Sequence, residues 1–357
     1  MSVDQDRLNE FVGRTVGDIG AAMTAVLVHI GDKLGLYKAM AGAGPMTSAQ
    51  LAGKTGTAER YVREWLSNQA ASGYIDYDPR SGRFLLNDIQ AMAFAHEDSP
   101  ALMTGAFQVL ASMFHDEPAI TAAFQSGKGV GWGEHDHKLF EGTERFFRGG
   151  YSANLVSSWL PALDGMIERL KSGAAVADVG CGHGASTVLM AQAFPKSRFV
   201  GFDNHPASIE RAGRIAQRMG VAGNCRFAAA SSTDFPGPDA GGAGKYDLVA
   251  CFDCLHDMGD PAGCARHVRG MLMPDGAWMI VEPFAGDRLE DNLNPVGRVY
   301  YAASTMICVP ASLAYNGPAL GAQAGEARLR EVATSGGFSR FRRASQTPFN
   351  LVLEARP

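Results

Sequence analysis

Apolar positions recur at helical spacing through the first hundred residues and gather into short unbroken runs after residue 173. The segment Ala21–Leu36 is apolar around much of its circumference and predicts a long helix. Thr47-Ser48-Ala49-Gln50-Leu51-Ala52 places two N-capping residue types before an apolar pair, which predicts a helix start. Gly53–Thr57 reads as a turn, and Ala58–Tyr74 as the next helix, with Tyr61, Trp65 and Leu66 on one face. Tyr74–Tyr77 and Arg83–Leu86 read as two strands around the turn Asp78–Gly82. Helix, turn, helix, hairpin is the order of a winged helix.

Residues 99–172 read as helical. Phe107, Leu110 and Phe114 sit at helical spacing, and the glycine-rich loop Ser126–Gly133 predicts a mobile lid. From residue 173 the pattern alternates. Apolar runs at Ala174–Val179, Arg198–Asp203, Arg226–Ala230, Lys245–Phe252 and Gly276–Val281 predict strands. Ala185–Phe194, Pro261–Leu272 and Glu326–Ser335 predict helices. Phe338–Ala344 and Phe349–Glu354 predict a closing hairpin around Thr347-Pro348. The expected fold class is α/β, with a mainly helical winged-helix part (1–98), a helical lid or linker (99–172) and a Rossmann-like part (173–357).

Composition narrows the partners. The 357 residues carry 32 Lys and Arg against 37 Asp and Glu, a net charge of −5, and 46% are hydrophobic. That balance gives no overall pull toward nucleic acid or anionic lipid. Residues 1–98 hold nine basic and twelve acidic side chains, a net of −3, and Arg60 and Arg63 share their helix with Glu59 and Glu64. A DNA-reading face needs basic excess, so nucleic acid is not expected and the apolar helix is expected to make a homodimer. Met1–Asn9 carries Asp4 and Asp6 and does not read as a signal peptide. No unbroken apolar run approaches the ~18 residues of a membrane span. Six cysteines form no disulfide framework. A cytoplasmic protein with reduced thiols and no membrane partner is expected.

The chemistry concentrates at residues 174–203. The strand ending at Asp178-Val179 runs into Gly180-Cys181-Gly182-His183-Gly184, a helix follows, and the next strand ends at Asp203, 25 positions after Asp178. Strand, glycine loop, helix, strand, acid is a nucleotide-binding unit. The glycines admit close backbone approach, and the acid can accept from ribose hydroxyls. The spacing is Gly-x-Gly-x-Gly instead of the dinucleotide Gly-x-Gly-x-x-Gly. Asp178 would repel a pyrophosphate by about 4 kcal/mol per charge pair at ~4 Å and an effective dielectric of ~20. It would attract the ammonium or sulfonium of S-adenosylmethionine. An NAD-type oxidoreductase is the competing reading, and Asp178 counts against it.

With these residues in place, 174–357 resembles the class I S-adenosylmethionine-dependent methyltransferases. Phe252-Asp253-Cys254-Leu255-His256-Asp257-Met258-Gly259-Asp260-Pro261 resembles their fourth-strand motif. The order of winged helix, helical lid and methyltransferase resembles bacterial small-molecule and plant-type O-methyltransferases. The resemblance implies a seven-stranded sheet with its last strand antiparallel, a dimer through residues 1–98, and a small-molecule methyl acceptor. It also implies that Asp178, Gly180, Cys181 and Gly182 hold the methionine part of the cofactor and Asp203 the ribose. Asn204 would touch the adenosine. Ser231 and Ser232 stand where relatives carry an acid facing the adenine, Phe252 and Asp253 line the methionine or the substrate mouth, and Tyr151, placed just before a helix Ser152–Leu163, covers the cofactor.

His256 matches the general-base histidine of the plant-type Leu-His-Asp motif. Methyl transfer is an in-line displacement at a cationic donor, and a hydroxyl acceptor must lose its proton. A neutral imidazole can take it, typically for 10²–10⁴-fold in rate. The structural reading of His256 stands beside this one. The tryptophan that follows the motif in the plant enzymes is Met258 here, so their substrate class does not transfer. Phe114, Tyr300, Tyr301 and Met306 suit the acceptor pocket or simply the core. No metal is expected. Cys251, Cys254, Cys264 and His267 have a gap too short for structural zinc, and Glu134, His135 and His137 read as a polar lid face. A transcriptional regulator built on the same fold remains the alternative from another class.

Overall fold

In the N-terminal part, the helices that start at Gln5, Ser48 and Asp88 follow side-chain caps on Asp4, Thr47 and Asn87. The computed structural model describes residues 3–357; Met1 and Ser2, which open the polar stretch Met1–Asn9, lie outside it. The described residues form two compact units, one of residues 3–114 with 137–149, the other of 115–136 with 150–357.

In the first unit a helix spans Gln5–Lys33, starting well before the predicted Ala21 because the Asp4 side chain accepts from the N–H groups of Asp6 and Arg7. By length and composition this helix could cross a membrane, although its apolar positions are interleaved with polar ones instead of forming one run; 17% of its most apolar window is buried. Thr47 and Gln50 form a capping box for the helix Ser48–Thr55. The helix Glu59–Ala71 buries Val62, Trp65, Leu66 and Gln69. Tyr61 is 81% exposed. It sits about 100° around the helix from Val62, so the expected Tyr61 face is not the core face. Strands β1 (Asp76–Asp78) and β2 (Arg83–Leu85) pair antiparallel as the wing. Arg63 pairs with Glu59, and Arg60 with Glu64, one turn away on the same helix. Their charge is spent locally.

Arg145 ties this unit together. Its guanidinium donates to both Asp32 carboxylate oxygens (2.7 and 3.0 Å), to Glu97, to Gln108 Oε1 (3.0 Å) and to Thr104 Oγ1 (3.0 Å). That uses the planar donor fork of arginine nearly to capacity.

The second unit is built on one seven-stranded sheet: β3 (Ala175–Val179), β4 (Arg198–Asp203), β5 (Cys225–Ala229), β6 (Tyr246–Phe252), β7 (Leu272–Pro283), β8 (Arg340–Gln346) and β9 (Asn350–Arg356). Their order is β5-β4-β3-β6-β7-β9-β8. β3 to β7 pair in parallel, and β9 runs antiparallel to both β7 and β8. The last strand is therefore antiparallel, as the resemblance implied. Every residue of β3 is buried, as a parallel strand covered on both faces requires. The order reverses between β3 and β6, so the carboxyl ends of these two strands open a crevice at the switch point.

Three local expectations change. The glycine loop is pinned: Val130 N–H donates to Pro310 O at 3.0 Å, and a Cβ on Gly129 would fall 1.9 Å from Ala314 N. Tyr151 lies inside the helix His137–Asn154, which then widens into a π turn over Leu155–Trp159. Phe114, offered as a pocket wall, is 62% exposed.

Candidate functional site

β3 delivers Asp178 fully buried to the head of the glycine loop. Its Oδ2 accepts from Ser186 Oγ and Thr187 Oγ1, both at 2.6 Å, on the first turn of the helix Ala185–Ala193. Its Oδ1 is buried and has no partner. Burial pushes the carboxyl up to about 7, against the pull of the two hydroxyls. A half-satisfied buried carboxylate is costly unless a ligand completes it.

Gly180 shows why the loop needs glycine. Its φ is +76°, and a Cβ there would meet Cys254 Sγ at 2.6 Å. Asp203, at the end of β4, folds back over the loop: Oδ2 accepts from Gly182 N–H and Oδ1 from His205 N–H, both at 2.9 Å. Burial raises its carboxyl, partly offset by those amides. Each oxygen keeps acceptor capacity for a hydroxyl. Asn204 is exposed beside it. Ser231 Oγ bonds Thr233 Oγ1 at 2.9 Å on the exposed turn after β5. Cys181 is buried beneath the loop.

Across the crevice, Phe252 and Asp253 end β6. Asp253 has φ +51°, a strained value for a non-glycine residue. Three contacts hold it there: its N–H donates to Val281 O (2.7 Å), Tyr151 Oη donates to Oδ2 (2.7 Å), and Asn350 Nδ2 donates to Oδ1 (3.0 Å). The Tyr151 ring lies 5.4 Å from that of Phe252. Burial also raises Asp253 and Asp257 to about 7. Asp178, Asp203, Asp253 and Asp257 thus surround the crevice with carboxyls that resist ionising together.

His256 follows on a short 3₁₀ turn, Leu255–Asp257, and is 3% exposed. Its Nδ1 bonds Glu282 Oε2, while Glu282 Oε1 accepts from Leu255 N–H at 2.8 Å. Burial alone would lower the imidazole; the Glu282 charge and the neighbouring Cys308 thiol carry it well above its ordinary value. The pair fixes the ring's tautomer and aims it. Glu282 is the functional residue that sequence reasoning missed. Its signal was a carboxylate closing the apolar run Ala277–Val281 of β7.

Of the remaining sequence candidates, Tyr300 stays beside the cluster, within reach of the Asp253 charge, and the histidines separate from it. Tyr300 is buried with its hydroxyl on Phe349 O at 2.9 Å. His267 Nε2 is engaged by Phe235 O at 2.8 Å. His135 Nδ1 bonds Asp116 Oδ2 at 2.9 Å, and His137 belongs to the other unit. Among the described residues no group of three His, Cys, Asp or Glu side chains is placed to hold a metal ion.

Comparison with known proteins agrees with this geometry. Residues 170–323 match a family described as "Methyltransferase domain", and residues 22–96 one described as "Rv2258c-like winged HTH domain". Among curated relatives, the trans-aconitate 2-methyltransferase of Streptomyces coelicolor is 42% identical over 57 residues, which is 16% of this chain and 19% of that protein. The chain therefore spans about a fifth of that relative's length. Among solved structures, the mitomycin 7-O-methyltransferase MmcR superposes with a TM-score of 0.68 at 21% identity, covering 99% of this chain and 100% of that one. Human N-acetylserotonin methyltransferase in complex with SAM superposes with a TM-score of 0.69 at 16% identity, covering 99% and 98%. At such identities the likeness establishes a shared fold.

Proposed function

Taking as premise that residues 170–323 are a methyltransferase domain and residues 22–96 a winged helix-turn-helix domain, we propose that the protein transfers a methyl group from S-adenosylmethionine to the oxygen of a small molecule. The unpartnered Oδ1 of Asp178 beside the Gly180–Gly184 loop carries this reading. A ligand entering there meets four carboxyls and a backbone stripped of side chains. That suits a cation and opposes a phosphate. Human N-acetylserotonin methyltransferase, which shares the fold, is solved in complex with this cofactor.

When bound, S-adenosylmethionine supplies an electrophilic methyl on a sulfonium. The residues of the chain do the rest. Asp178 and the loop amides hold the amino-acid end. Asp203 accepts from the ribose. Asn204, Ser231 and Ser232 lie at the adenosine end. Tyr151, Phe252 and Asp253 wall the methionine side, with Tyr151 and Asn350 keeping the strained Asp253 in place. His256 takes the acceptor proton. Glu282 holds Nδ1 so that Nε2 faces the acceptor and stabilises the imidazolium that forms. A ring whose affinity for protons is raised is a stronger base but is less often empty at neutral pH, so turnover should rise with pH above 7. Alignment and exclusion of water supply most of the remaining acceleration.

Calorimetry with S-adenosylmethionine, S-adenosylhomocysteine and NADH tests the class. Binding of the first two and not the third is expected; NADH binding alone would overturn it.

The partner is a second copy of this chain. On the helix Gln5–Lys33, Val12, Val16, Ile19, Met23, Val26 and Ile30 are all exposed. Their spacing of four, three, four, three, four is that of a two-helix seam. Val16→Glu with Met23→Glu should convert the dimer to a monomer in light scattering. A wild-type monomer that partitions into vesicles would assign the stripe to a membrane instead.

A further inference from the structure

The first unit holds an open polar cavity of about 340 Å³, enough for a small molecule. It lies between two helix ends. The last turns of Gln5–Lys33 supply His29, Asp32 and Lys33, and the first turns of His137–Asn154 supply Lys138, Glu141 and Arg145. The carboxyl end of one helix and the amino end of the other carry opposite partial charges that offset. The side chains therefore decide what the cavity holds. None of the residues assigned above to the donor or to proton transfer belongs to this unit.

Every acid on the wall is already engaged. Asp32 accepts from Arg145 with both oxygens, and Glu97 accepts from Arg145 and from Lys38 Nζ, each at 2.9 Å. Glu141 Oε2 accepts from Gln108 Nε2 at 3.1 Å. The bases are not matched in the same way. Among the described residues Lys33 has no ion-pair partner. His29 Nδ1 is buried without a hydrogen-bond partner. Burial first, then the charges of Lys33, Lys138 and Arg145, hold His29 below its ordinary value, against the pull of Asp32. Three cations acting on one ring place a positive potential at the cavity wall. With His29 and His137 neutral, four basic side chains face three acids, a net of +1, inside a part of the chain that is acidic overall.

We propose that this cavity is a binding site for a small organic oxyanion, whose carboxylate or phosphate group is held by Lys33 and His29 Nδ1–H. A neutral imidazole can carry its proton on Nδ1, so His29 donates without adding a charge. The ligand gives that buried nitrogen the partner it lacks, which removes the cost of leaving it unpaired. The Lys138 charge adds to the attraction. Arg145 shapes the wall instead of binding, because its donors are taken by Asp32, Glu97, Gln108 and Thr104.

The test is calorimetry of the folded full-length chain with sodium sulfate and sodium malonate at constant ionic strength, with putrescine as the cationic control. One saturable site per chain is expected for sulfate or malonate, and the tighter of the two assigns the head group as tetrahedral or planar. Lys33 is exposed, so Lys33→Gln should fold normally and weaken binding about tenfold. His29→Phe should weaken it by a similar factor, and Lys171→Gln, in the other unit, should leave it unchanged. The ring resonances of His29 should titrate at higher pH with sulfate bound, because the anion opposes the three cations. Saturable binding of neither anion, or of putrescine in their place, would overturn the proposal. So would unchanged affinity in Lys33→Gln or an unmoved His29 titration under saturating sulfate. Binding lost in the monomeric Val16→Glu with Met23→Glu variant would also overturn it, since the site is built from one chain. No methyl donor is present, so the outcome is independent of whether methyl transfer occurs.

Discussion

Asp178→Asn separates the two things the crevice carboxyl does. In the uncomplexed protein burial holds Asp178 at about 7. A bound cation requires the ionised form. Affinity for the donor should therefore be full above pH 7 and lost as pH falls through it. At pH 7.5 about three-quarters of the carboxyls are ionised and at pH 5.5 about 3%, a ratio near 25 or about 2 kcal/mol. Calorimetry at the two values should show at least that weakening, together with proton release on binding near pH 7. Asp253 and Asp257 titrate in the same range, so the wild-type slope can be steeper. Asp178→Asn keeps an oxygen for Ser186 and Thr187 but has no charge. It should bind weakly at both pH values and lose most of the slope.

The same carboxyl acts oppositely on stability. Its folded value lies above the unfolded one, near 3.9, so the protonated form stabilises the fold at low pH. That contribution is lost as pH rises through 7. The full penalty is about 4 kcal/mol as an upper bound. Asp178→Asn should therefore raise the melting temperature of the uncomplexed protein at pH 7.5 while abolishing the shift that S-adenosylmethionine causes. Equal wild-type affinity at pH 5.5 and 7.5, or a variant that keeps the wild-type slope, would refute the electrostatic account.

Other outcomes follow from single contacts. His256→Ala should cut turnover by about 10²–10⁴ and leave calorimetric donor affinity unchanged; surviving turnover would place the base elsewhere. Glu282→Gln removes the charge that raises His256, so the alkaline rise of kcat/KM should move to lower pH while the plateau falls; an unmoved profile would detach Glu282 from the base. Asp203→Ala removes the carboxylate proposed to accept from the ribose and should weaken the donor at least tenfold, read by calorimetry. Asn350→Ala or Tyr151→Phe removes one of the contacts holding Asp253 at positive φ and should raise KM for the donor more than it lowers kcat.

The sequence disclosed what local chemistry writes locally. β4 was bounded to the residue, and β3, β5 and β6 to within one or two, because apolar runs and glycine breaks mark their ends. Asp178, Gly180, Gly182 and Asp203 were visible as a linear pattern. Glu282 was not. It lies 26 positions from His256, and only the pairing of β6 with β7 brings the two together. Asn350 reaches Asp253 from the final strand for the same reason. Tyr151 was named but misplaced, since nothing in its neighbours announces that a helix will pass through it and widen afterwards. Tyr61 failed because three apolar side chains on one helix do not reveal which side of the stripe meets the core. The extent of the Gln5–Lys33 helix was missed because its outer half has no core-facing pattern of its own.

That missing pattern and the crevice share a physical logic. Each leaves a feature unsatisfied in the single empty chain: a stripe of exposed aliphatics in one unit, and an orphaned carboxylate oxygen with its neighbours in the other. Neither is stabilising as it stands. Apolar area of that extent costs about 25 cal/mol per Å² left in water, and clustered carboxyls cost more as each ionises. On the proposed function both costs would be removed by binding: a second helix would cover the stripe, and a cation would neutralise the crevice. The free energy withheld from the empty chain therefore returns as affinity. Each partner should then raise the melting temperature by an increment that disappears when its own site is substituted, Val16→Glu with Met23→Glu for the dimer and Asp178→Asn for the donor. If the donor's increment vanished in a folded monomeric variant, the two sites would be one thermodynamic unit, and this separation of roles would be wrong.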